Sequence, residues 1–103
     1  MGLTLNISDY ERGMVLQCLN IVRDACVERC TDDGVVEAIT HVMYLVEMDE
    51  ELDCKSAALL YSSLEVAIPG VVKEGHRHAL TRVRDTLYRD GEILMKQARK
   101  AFH

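Results

Sequence analysis

The sequence predicts an all-α fold: a small antiparallel bundle of four helices, or five if the last one breaks, preceded by a short extended arm. Three observations carry this prediction. Apolar residues recur at i, i+3, i+4 and i+7 through most of the chain, the period of a half-buried helix. The composition holds no Trp, one Phe and one Pro, without the aromatic enrichment of a sheet protein. Leu, Ala, Glu, Arg and Met are abundant, and these favour helix. Capping and breaking residues punctuate the pattern at Ser8, Thr31-Asp32-Asp33-Gly34, Asp53 and Pro69-Gly70. A chain of 103 residues makes one domain, residues 1–103.

The elements follow in order. Leu3, Leu5 and Ile7 alternate with Thr4 and Asn6, an extended arm with one apolar edge. Ser8 and Glu11 form a capping box, S-D-Y-E, and Asp9 suits the positive end of the helix dipole. The first helix should run from about Asp9 to Cys30. Its stripe is read as Met14, Cys18, Ile21, Val22 and Ala25, widened by Val15, Leu19 and Cys26, with Leu16 and Val27 outside. The linker after it is short enough to make a helical hairpin, with Asp33 or Thr31 as the next cap.

The second helix carries Val35, Ile39, Val42, Met43 and Val46 on a wide face, with His41, Tyr44, Met48 and Leu52 as a smaller stripe beyond its edge. So much apolar surface predicts the central helix of the bundle. Four acids between Glu47 and Glu51 oppose the dipole at its C-terminus and predict an end or turn near Leu52. Asp53 caps a third helix, Cys54 to Ala67, with Ala57, Leu60, Tyr61, Leu64 and Ile68 in line. Pro69 ends it. A fourth helix begins near Val71, and Val72, Ala79, Val83, Leu87, Leu94, Ala98 and Ala101 keep one stripe. Its length predicts either projection past the bundle or a break at Asp90-Gly91, with one continuous or bent helix preferred.

Charge is unevenly placed. Residues 1–68 carry 4 Lys/Arg against 13 Asp/Glu, and residues 69–103 carry 8 against 4. The simple consequence is two faces that attract each other within a bundle or across a dimer; a basic helix aimed at an anionic partner is the sharper one. The opening MGLTLNISDYERG has no charged-then-apolar leader, and no apolar run is long enough to cross a membrane. The expected compartment is therefore the cytoplasm, with Cys18, Cys26, Cys30 and Cys54 reduced.

No chemistry is fixed by a motif. Cys26 and Cys30 are four apart on one helix face, but structural zinc sites use two close Cys pairs on tight turns. The expectation is no metal, with Cys18 and Cys26 as small core residues. His76 and His78 are two apart and point to different sides, so they share no metal on a helix; His76 is expected at the core boundary. There is no C-x-x-C-H for haem, no G-x-S-x-G, no H-E-x-x-H and no phosphate loop. The chain is expected to be no enzyme and to need no cofactor.

What remains is binding. The apolar positions exceed what one small bundle needs to close. The favoured function is a cytoplasmic protein–protein interaction module, an inhibitor, adaptor or regulator, which also associates with itself as a homodimer or higher oligomer and makes no membrane contact. Its expected partner surface is Tyr44, Met48 and Leu52, since Tyr and Met supply area with adaptable contacts. The alternative is an oligomer that binds an anionic ligand, a nucleotide or nucleic acid, through Arg77, Arg84 and Arg89 of the last helix.

Overall fold

Ser8 starts the first helix as the sequence predicts. Its hydroxyl accepts the Glu11 amide at 3.2 Å, and the Glu11 carboxylate accepts the Ser8 amide at 2.9 Å. From this box the chain runs through four helices in a computed structural model that describes residues 2–29 and 32–101, with side chains as far as Glu92. They are α1, Asp9–Glu28; α2, Asp33–Glu47; α3, Cys54–Ala67; and α4, Glu74–Ala101, with one 3-10 turn at Ile68–Gly70 before α4. The fold is all-α, and short links turn each helix back against the one before it. Cys30, Thr31 and Phe102 lie outside the described residues, as do the side chains of Leu94, Lys96, Ala98, Arg99, Lys100 and Ala101.

The core is a single cluster built from every element. Val15, Cys18 and Leu19 of α1 meet Ile39, Val42 and Val46 of α2, Leu60 and Leu64 of α3, and Leu80, Val83 and Leu87 of α4. The expectation that α2 is central is corrected. Among the described residues α2 packs against α1 and α3 and does not touch α4, whereas α1 and α3 each touch all three other helices. This also corrects the stripe of α1. Its buried line is Glu11, Val15, Cys18 and Leu19, and Ile21 is 60% exposed. At 3.6 residues per turn Ile21 stands about 120° from Val15, off the arc that three neighbours cover. Leu16, expected outside, is half-buried against the core, whereas Val27 is exposed.

Three boundaries differ from the sequence reading. α1 ends at Glu28, with Arg29 as its C-cap. The cap of α2 is Asp32, not Asp33 or Thr31, and its carboxylate accepts the Gly34 amide at 2.7 Å. α4 starts at Glu74 rather than Val71, because Val71, the cap of the 3-10 turn, is extended and the chain stays non-helical through Lys73; Val72, placed in the stripe, is 91% exposed. α3 has the predicted bounds and the predicted cap, Asp53 accepting the Ser56 amide at 2.7 Å. α4 continues through Asp90-Gly91. The half-buried Asp90 is met by Arg89 at 3.4 Å, and a mid-helix glycine costs only about 1 kcal/mol.

The acidic end of α2 closes by backbone geometry. The Glu50 amide donates to the Leu45 carbonyl at 2.9 Å and the Asp49 amide to Val46 at 3.3 Å. This is the two-bond ending that places its middle residue in the left-handed region, and Asp49 has φ of 56°. Asp49→Gly is therefore expected to raise stability by about 0.5–1 kcal/mol, after allowing for the loss of its exposed pair with Arg12. A thermal melt checks this; a lower melting temperature would contradict it.

After this ending the chain meets the N-terminal arm. The amides and carbonyls of Leu3 and Leu52 bond reciprocally, both at 2.7 Å, in an antiparallel bridge. Leu5 and Leu52 are both buried. The apolar edge of the arm thus covers the α2–α3 corner of its own bundle.

Candidate functional site

Ile39, Val42 and Val46 turn one side of α2 inward, and the opposite side is left outside. There Tyr44 is 54% exposed and Met48 55% exposed. Tyr44 lies across the helix from Val42 by the helical period. Glu37, Thr40 and Glu47 on the same helix are exposed as well, so the face combines an apolar pair with a polar frame. On its α1 side it is tied down by Arg23, whose guanidinium donates to Thr40 Oγ1 at 3.4 Å and to Asn20 Oδ1 at 2.6 Å. Glu37 and Glu47 add acidic charge to this face.

Leu52 does not belong to the surface, and its expected role is corrected. It is fully buried beneath the arm and paired to Leu3. The spacing that aligned it with Tyr44 and Met48 holds only while the helix continues, and α2 ends at Glu47. Past that point the reversal at Asp49 turns Leu52 inward.

The arginines of α4 are not brought together. Arg77 donates from Nε and Nη2 to the Val71 carbonyl, at 3.2 and 2.6 Å, and so secures the turn before its helix. Arg84 is held by Asp85 at 3.2 Å and Arg89 by Asp90 at 3.4 Å. Arg77 and Arg84 share a side, whereas Arg89 stands roughly 120–140° round the helix. Beside Arg84 there is a shallow depression of about 350 Å³ lined also by Tyr61, Glu65, Asp85 and Tyr88. Its two carboxylates oppose an anion. The hydrogen bond with Glu65 pushes the Tyr61 phenol up.

The cysteines offer little chemistry. Burial pushes the Cys18 thiol up to about 11, and its Sγ donates to the Ser63 carbonyl at 3.9 Å. A thiol with that value is neutral at pH 7 and a poor nucleophile. Cys26 is half-buried and Cys54 exposed, both free. Among the described residues no three His, Cys, Asp or Glu side chains gather in a way that holds a metal ion. His76 is half-buried, with its ring 5.9 Å from that of Tyr10.

One feature escaped the sequence reading. α2 and α3 diverge to leave an open groove of about 730 Å³, with Val35, Ala38, Val42, Ala58 and Leu59 along its floor and sides. Asp32, His41, Asp53 and Lys55 also line it. The Ser56 amide holds the Asp53 carboxyl below the usual range.

Among the described residues no helix is long and apolar enough to cross a membrane. No family model, curated protein sequence or solved structure matches the chain.

Proposed function

We propose that this chain is a small protein–protein interaction module of the cytoplasm, an inhibitor, adaptor or regulator that works by binding rather than by catalysis. The observation that supports it is the outer face of α2. Tyr44 and Met48 are both more than half exposed there, on the helix that, among the described residues, packs against two of the other three. An aromatic and a thioether side by side give area at low ordering cost. The exposed acids Glu37 and Glu47 on that helix would favour a partner with basic residues around an apolar seat and would speed encounter with it. The arginines of α4 support the anionic-ligand alternative less well, since each of the three candidates already has an acceptor within the chain.

Tyr44→Ala is the test. The exposed ring contributes little to the bundle, so helicity and melting temperature should stay close to those of the wild-type protein. Association should weaken by about 1–3 kcal/mol, the worth of one anchor residue. Circular dichroism melting reads the first. Quantitative capture of proteins from the native lysate by tagged full-length chain reads the second. A variant that melts much earlier yet captures normally would place Tyr44 in the fold and remove the proposed surface.

A further inference from the structure

We propose that the shallow depression between α3 and α4 binds a quaternary ammonium ion, seated against the rings of Tyr61 and Tyr88 and beside the carboxylate of Glu65. The site is separate from the outer face of α2 and does not rest on the reading of that face.

Two helical pairs build the depression. Tyr61 and Glu65 are four apart on α3, and Arg84 and Tyr88 are four apart on α4. That spacing puts each pair on one side of its helix. The two helices pack against each other, and the two rings meet with centroids 5.9 Å apart and planes inclined at 38°. These four residues and Asp85 line about 350 Å³. Tyr61 is half-buried and packs against the core, whereas Tyr88 is 57% exposed and Glu65 is exposed. One ring is thus anchored on the bundle, and the other stands open to a ligand.

Charge selects a cation. The depression is lined by two carboxylates and one guanidinium, a net charge of −1. Arg84 directs Nε and Nη2 to Asp85 Oδ1, at 3.3 and 3.2 Å, so its charge is engaged with Asp85. Glu65 meets the Tyr61 phenol instead, and that hydrogen bond pushes the phenol up.

The rings select the kind of cation. The face of an aromatic ring attracts a positive charge placed over it. Both carboxylates already accept bonds within the chain. A guanidinium would bring five N–H donors and a primary ammonium three, and each donor left unpaired on leaving water costs free energy. A quaternary ammonium has no donors to satisfy. It spreads its charge over an apolar surface, which suits two rings and one carboxylate. That chemistry occurs in small free cations and in trimethylated lysine side chains, and one experiment separates the two sources.

The experiment is an NMR titration of the full chain with choline, followed at the ring signals of Tyr61 and Tyr88. Choline should give saturable shifts at both rings. Its neutral isostere 3,3-dimethylbutan-1-ol and plain ammonium chloride should not. Tyr88→Leu and Glu65→Gln should each weaken choline binding by about threefold or more, the size of one exposed cation–π or ion contact. Tyr88→Phe keeps the ring and should keep the affinity. Arg84→Gln removes the competing cation and should tighten binding, an effect that damage to the fold would not produce. Circular dichroism melting checks that each variant is folded. The second arm uses a short peptide with one trimethyllysine and the same peptide with plain lysine. A trimethyllysine peptide that binds more tightly than both choline and the plain peptide assigns the site to a protein side chain, and choline as the tighter ligand assigns it to a free cation. The proposal is overturned if neither choline nor the trimethyllysine peptide gives a saturable shift. It is equally overturned if the neutral alcohol shifts the rings as strongly as choline, or if folded Tyr88→Leu and Glu65→Gln bind choline as the wild-type protein does.

Discussion

Leu60→Ala should cost about 3–5 kcal/mol of folding free energy, the upper part of the range for deleting a buried leucine. Leu60 is fully buried on α3, and α3 touches each of the other helices. The cavity it leaves is therefore walled by several elements at once, and none can shift inward without losing contacts elsewhere. Domains of this size have total stabilities of about 5–15 kcal/mol. The substitution should thus lower the melting temperature by roughly 15–30 °C. Urea unfolding of both proteins gives the free-energy difference. Val66→Ala on the same helix is the comparison, since Val66 is 74% exposed and should change stability by no more than about 0.5 kcal/mol. Equal effects at the two positions would contradict the assignment of the core.

Glu11→Ala should cost about 2–3 kcal/mol, because one carboxylate serves two tasks. Its Oε1 accepts the Ser8 amide at 2.9 Å and completes the cap of α1. Its Oε2 accepts from Arg82 Nε at 2.7 Å and ties α1 to α4. Loss of a cap contributes about 1 kcal/mol and loss of a charged hydrogen bond about as much again or more. The cost stays below that of breaking a fully buried pair, because the Arg82 side chain is 59% exposed and returns to water.

Glu11 also makes stability depend on acid. The hydrogen bond from Arg82, and after it the bonds to Ser8, hold its carboxyl below the usual glutamate value against the opposing effect of burial. A group with a lower value in the folded state binds fewer protons there. Its contribution is complete above the unfolded value of about 4.3 and is lost as pH falls through the folded value. Glu11→Gln should accordingly show a shallower decline of stability below about pH 4.3 than the wild-type protein. Part of the decline should remain, since the Ser56 amide holds Asp53 low as well. Unfolding measured at a series of pH values checks the sign; a steeper decline in the variant would contradict it.

These two residues mark what the sequence made legible and what it did not. The S-D-Y-E box announced the start of α1 because capping is local and needs only a spacing of three. Asp53 and the run to Ala67 were legible for the same reason. The Arg82 partner of Glu11 was not, since it lies 71 residues away and no local pattern links them. Nor was the position of α2 in the bundle. Its apolar richness reads as centrality, yet that surface is shared among α1, α3, the arm and an open groove. The inward face of α1 was misplaced by one row, because a helix with three neighbours buries a broad arc and Ile21 fits a periodic count as well as Val15 does. Tyr44 and Met48 were legible as surface because they oppose a clear inward stripe. Leu52 was not, because one left-handed residue, Asp49, redirects the chain and makes helical spacing meaningless beyond it.

The outer face of α2 is tested most directly by placing a photo-activated benzophenone side chain at position 44 of the full-length protein in its native cells, with the same group at position 66 as control. Both positions are exposed, at 54% and 74%, so neither label should disturb the fold. Irradiation should give a discrete adduct from position 44, heavier than the chain by the mass of one protein partner or of a second copy, and no such adduct from position 66. No adduct at position 44, or the same adducts from both positions, would contradict the assignment of Tyr44 and Met48 as a binding surface.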